Sequence, residues 1–104
     1  VLTPPVPLVV EPPRHPGVFR VIVEAPGLIA GARAEPASAR VRLRLHLRSD
    51  GTVERAAVAQ QSGREELDGA ALKAALQWRF APARRDGVPI ASVVLIWVAF
   101  VMEP

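Results

Sequence analysis

Residues 40–48, RVRLRLHLR, alternate without a break: Val41, Leu43, Leu45 and Leu47 are apolar, and Arg40, Arg42, Arg44, His46 and Arg48 are polar. A period of two held over this length describes a strand with one face in a core and the other in water. The SDGT that follows (49–52) predicts a tight turn, because Asp-Gly supplies the positive φ that a hairpin needs. VERAAVAQQ (53–61) then returns as a second, antiparallel strand. Its parity slips between Val53 and the Ala56/Val58 pair, the mark of a bulge.

After Ser62 the period changes. Leu67, Ala71, Ala74, Ala75 and Trp78 fall at i, i+4, i+7, i+8 and i+11, one helical stripe that Leu72 and Leu76 widen. Ser62 with Glu65 three residues on has capping-box spacing and predicts the helix start. Pro82 has no backbone N–H, so the helix is expected to end near Phe80, with Trp78 and Phe80 in its last turn. Arg84 and Arg85 lie just past that end, where positive charge suits the helix dipole. The chain closes on IASVVLIWVAFVM (90–102). Val93, Leu95, Trp97, Ala99 and Val101 form one face of this run, and Val94, Ile96, Val98, Phe100 and Met102 the other. A strand apolar on both faces is either covered on both or has an edge awaiting a partner.

The pattern ahead of residue 40 is different. Eight of the eleven prolines lie in the first 36 residues, and VLTPPVPLVVEPPRHPG (1–17) reads as an extended, proline-rich linker. VFRVIVEA (18–25) is β-branched and long enough for one strand. PGLIAGARAEPA (26–37) has room for one or two helical turns before Pro36. The fold class that follows is α+β. A small antiparallel three-stranded sheet carries one main helix on one face, in the order β-β-α-β. A short N-terminal helix and one extra N-terminal strand have room in front. The chain divides into a linker (1–17), a strand and short helix (18–39) and a core (40–104).

Composition narrows the function. With 104 residues there is one domain at most. Without cysteine there is neither a disulfide framework nor a thiolate metal site, which fits an exported location where stray thiols oxidise. The longest apolar run, 93–102, falls well short of the roughly 20 residues of a membrane span. A start at Val1 reads as a fragment from which targeting and membrane segments have been cut. Twelve arginines and one lysine set a net charge of +3, and the arginine row of 40–48 raises a nucleic-acid reading. That face has no interleaved aromatic for bases to stack on, so a solvated strand face is the simpler account. Nor do the residues make an enzyme. His15 lies in the linker and His46 among arginines, Ser62 and Asp68 are helix-start chemistry, and Asp50 and Asp86 precede turn glycines. No nucleophile–base–orienter set, metal cluster or cofactor cradle is spaced among them, and Gly63, Gly69 and Gly87 form no phosphate loop. What stands out is the last strand. An edge without protective charge or proline is a template for another chain, which adds as a strand. A structural role, homodimerisation through that same strand, uses the same edge.

Residues 39–100 resemble the C-terminal domain of the TonB energy-transducing proteins. The likeness rests on the alternating strand before Asp-Gly, on Ser62-Gly63 and LDGAAL (67–72) opening the helix, on WRFAP (78–82) and DGVP (86–89), and on the long final strand. The resemblance implies a periplasmic domain tethered by a proline-rich linker to an inner-membrane helix that lies outside this chain. It implies a partner too, the TonB-box segment of an outer-membrane transporter, and motor proteins of the inner membrane that draw on the proton gradient. The box adds beside the last strand, which here means alongside Ser92, Val93, Val94, Leu95, Ile96, Trp97, Val98, Ala99, Phe100 and Val101. Family members usually carry a Tyr-Pro motif before the first short helix. The nearest stretch here is APGLIAGARA (25–34), the chain has no tyrosine, and no contacts of that motif carry over. VFRVIVEA is not a family feature either. It is expected to occupy an edge of the sheet, in cis or in a swapped dimer, until a partner displaces it.

Overall fold

The computed structural model describes residues 1–11, 13, 18–24 and 39–102. The alternation of 40–48 becomes strand β4 (Ala39–Leu47), with Val41, Leu43, Leu45 and Leu47 buried under the helix and the arginines on the opposite face. β5 (Val53–Gln60) returns antiparallel to it. The parity slip is a bulge: Leu47 pairs with Val53 and His46 with Arg55, which leaves Glu54 as the extra residue.

The turn between them is built by its own side chains. Gly51 sits at φ 88°, and its N–H donates to the Arg48 carbonyl at 2.9 Å. Asp50 Oδ1 accepts from the Thr52 hydroxyl at 2.6 Å and from the Thr52 N–H at 2.9 Å. The hydroxyl first, then the N–H, hold the exposed Asp50 carboxyl below its ordinary value of 3.8. A depressed folded value means a contribution present above the unfolded value and lost as pH falls through the folded one. The urea midpoint of the parent chain is therefore expected to fall more steeply below about pH 4 than that of Asp50→Asn. Parallel profiles over that range would refute this role.

Helix α1 (Glu65–Ala75) begins two residues later than the capping-box spacing implies. Arg64 is the N-cap residue, without a side-chain cap, because Gly63 at φ 93° turns the chain and takes Ser62 out of the cap position. Ser62 Oγ instead accepts from the Arg64 N–H at 3.1 Å. Asp68, buried in the first turn, reaches back to accept from the Ser62 N–H at 3.2 Å. Leu67, Ala71 and Ala75 face the sheet, and the two alanines let the helix lie close.

The helix also ends earlier than expected. Gln77 and Trp78 donate i→i−3 bonds to Ala74 and Ala75, and Trp78 lies past the helix, not in its last turn. Phe80 is in strand β6 (Arg79–Ala81), where its N–H donates to the Gly51 carbonyl at 2.9 Å. That bond requires extended backbone at Phe80, so the chain unwinds before Pro82 could stop it. β7 (Ala83–Arg85) and β8 (Val88–Ile90) then form a small hairpin through Asp86 (φ 51°) and Gly87 (φ 84°). Arg84 and Arg85 are thus strand residues of β7.

Three short strands therefore separate α1 from the final strand β9 (Ser92–Met102), where a direct helix-to-strand passage was expected. The main sheet has four antiparallel strands, not three. The extra N-terminal strand is β3 (Val18–Glu24), and the order is β3–β9–β4–β5. The short helix expected within 26–37 lies outside the described residues. Among the described residues the class is α+β, antiparallel strands in small sheets with one helix. Residues 1–11, read from the sequence as linker, run extended along the post-helix strands. β1 (Leu2–Thr3) pairs with β7, and β2 (Val6–Val9) pairs with β6. Among the described residues no helix is long and apolar enough to cross a membrane.

Candidate functional site

Among the described residues, the last strand is central in the sheet at one end and an edge at the other. On one side β4 pairs with it over Ser92–Phe100. On the other, β3 pairs with it over Trp97–Met102, from Glu24 opposite Trp97 to Val18 opposite Met102. Of the ten expected partner-strand residues, Trp97, Val98, Ala99 and Phe100 already have strand neighbours on both sides. Val101 pairs with Arg20 of β3. Ser92, Val93, Val94, Leu95 and Ile96 have β4 alone among the described residues.

The two faces of β9 differ. Val94, Ile96, Val98 and Phe100 belong to the core cluster with Leu43, Leu45, Leu67, Trp78 and Phe80. Val93 and Leu95 lie on the open face and are 54% and 39% exposed. Trp97, half-buried on that face, lies under two guanidinium groups, with Arg40 at 4.4 Å and Arg42 at 5.3 Å from its ring centre. A cation over an indole contributes about 0.5–1 kcal/mol at exposed sites. Parity alone places the arginines and Trp97 on one face. Their stacking depends on the register that sets Arg42 opposite Trp97, which sequence reasoning missed because no local signal carries it.

The other residues considered for chemistry do not converge. Asp50 is in the β4–β5 turn, Ser62 and Asp68 at the helix start, and Asp86 in the β7–β8 turn. His46 is half-buried on the open face, opposite Arg55 and Val93, and His15 lies outside the described residues. Among the described residues no three His, Asp or Glu side chains come together as metal ligands would.

Among the described residues, one helix packs on one face of a four-stranded antiparallel sheet, and the last strand has a second neighbour over only part of its length, the architecture of a small α+β domain. Residues 30–102 match the family model described as Gram-negative bacterial TonB protein C-terminal, and the chain belongs to that family. It is 30% identical over 92 residues to Protein TonB of Vibrio cholerae, a match covering 80% of this chain and 38% of that protein. It is 47% identical over 45 residues to Protein tonB2 of Pseudomonas aeruginosa, covering 43% of this chain and 17% of that protein. The chain thus spans well under half the length of either relative. Strands β1–β3 all precede the residues that the family model matches.

Proposed function

We propose that this chain is the periplasmic C-terminal domain of a TonB-like energy transducer. Its work is binding, not catalysis, and it needs no cofactor. The TonB-box segment of an outer-membrane transporter adds as a strand along Ser92–Val101. A tether and inner-membrane anchor outside this chain join the domain to motor proteins, which turn the proton motive force into a pull on the transporter. Family membership supports the class of protein, and the stretch Ser92–Ile96 of β9, which among the described residues pairs with β4 alone, is the observation that supports the binding site.

The magnitudes suit a contact made and broken repeatedly. Five or six backbone hydrogen bonds at about 0.5–1.5 kcal/mol net each sum to several kcal/mol. After the cost of ordering the segment, affinity on the order of micromolar follows. The test is a titration of isotope-labelled chain with a TonB-box peptide, followed by amide shifts at several protein concentrations. Saturable shifts concentrated in β9 are expected. A monomer that shows no shifts would reduce the family likeness to one of fold. Broadening that grows with protein concentration in the absence of peptide would put self-pairing through β9 in first place.

A further inference from the structure

We propose that β3 is a resident strand held in the partner's slot, and that an incoming segment enters at Ser92–Ile96 and displaces it. The proposal rests on the strand-addition reading above and says how the site is controlled.

The backbone groups of β9 that face away from β4 can serve one neighbour. Over Trp97–Met102 that neighbour is β3, a segment outside the matched family residues. Among the described residues β3 pairs no further than Glu24, opposite Trp97, while β9 runs on to Ser92. A segment lying along Ser92–Val101 therefore meets β3 at Trp97. It either halts at Ile96 with half its bonds unmade, or it takes over the ladder one residue at a time. In the second course each bond given up by β3 is replaced by an equivalent one, so no buried N–H or C=O of β9 is stranded on the way. The ladder of β3 is already irregular between Val18 and Arg20, at the end remote from the entry point.

Two features describe the incoming strand. Val93 and Leu95 are the exposed apolar residues of the entry stretch, so the residues beside them on the open face are apolar. Val23 of β3 lies opposite Val98 and packs on the core cluster. The residue that replaces it beside Val98 is therefore apolar as well, or the core is opened to water.

The chain has no cysteine, so one disulfide locks β3 cleanly. Ile22 and Ala99 are directly opposed. Opposed Cα atoms of an antiparallel pair lie about 4.5–5.5 Å apart, within disulfide reach. In Ile22→Cys/Ala99→Cys the reduced form is the reference for binding a TonB-box peptide, since both redox forms carry the same change in β9. The oxidised form is expected to bind it at least about tenfold more weakly, with remaining shifts confined to Ser92–Ile96. Ile22→Pro/Val23→Pro frees the slot, since one of two adjacent strand residues must offer its N–H to β9. It is expected to bind the peptide about tenfold or more tightly than the parent. A synthetic VFRVIVE peptide, the sequence of β3, is the second probe and is expected to bind this proline variant at β9.

Equal affinity in oxidised and reduced forms would overturn displacement while leaving strand addition intact, at another edge. VFRVIVE binding without TonB-box binding to the proline variant would overturn the reading of the partner, and this inference with it. If neither peptide binds the proline variant, β9 offers no slot and both fall.

Discussion

Replacing Gly51 with alanine destabilises the domain by at least about 3 kcal/mol, from a positive-φ cost of about 1–2 kcal/mol and a backbone collision on top of it. Gly51 is held at φ 88°, where a side chain is strained whatever the space around it. A Cβ there would lie 1.7 Å from the Phe80 carbonyl oxygen and 2.8 Å from its carbon. Those are backbone atoms of β6, so no rotamer change relieves the clash. The hairpin turn and β6 would have to part, which breaks the bond from the Phe80 N–H to the Gly51 carbonyl and lifts Phe80, 2% exposed, out of the core. Gly63→Ala is the control. Its φ of 93° is similar, but nothing lies within 4 Å of the added carbon. Urea unfolding of the two variants side by side separates the effects. Gly63→Ala is expected to show only the conformational cost, about 1–2 kcal/mol. Equal losses would mean that the turn and β6 part without penalty.

Trp78→Ala is the second large loss, about 3–5 kcal/mol, the range for emptying a fully packed aromatic site. Trp78 is 1% exposed, and its indole N–H donates to the Glu11 carbonyl at 2.7 Å. The ring thus joins the core to a segment 67 residues earlier in the chain. Trp78→Phe keeps most of the packing but leaves that carbonyl without its donor, at a cost of about 1–3 kcal/mol. In a chain lacking residues 1–13, Trp78→Phe is expected to cost measurably less, because the carbonyl has gone with the segment. The comparison is a double-mutant cycle read from urea midpoints. An unchanged cost would show that the indole–Glu11 bond contributes nothing. A Trp78→Ala loss under about 1 kcal/mol would contradict the packing role.

The missed elements share a cause. β6, β7 and β8 each have only three residues, too few for a period to show, and DGVP was legible only as a turn. Ser62 and Glu65 satisfied the spacing of a cap, yet Gly63 at φ 93° moved the N-cap to Arg64. Trp78 fitted the helical stripe because the stripe continues geometrically beyond Ala75. Only the bond from Phe80 to the hairpin turn shows why the backbone leaves the helix first.

Local sequence periods set the faces of the elements. The alternation of β4, the Asp-Gly turn, the alanine-rich stripe of α1 and the doubly apolar β9 are local periods, and a local period decides which side chains share a side. The doubly apolar character of the last strand was legible in the same way, whereas Ser92–Val101 as the place of a partner strand came from the family likeness. Neighbours were another matter. VFRVIVE has strand propensity but nothing in it states which edge it joins. That it lies on β9, covers Trp97–Met102 and leaves Ser92–Ile96 was decided by the tertiary structure. So were the stacking of Arg40 and Arg42 on Trp97 and the seating of residues 1–11 against the strands after the helix. Strand pairing is a competition among distant segments for one row of backbone groups, and its outcome depends on register and burial across the whole fold.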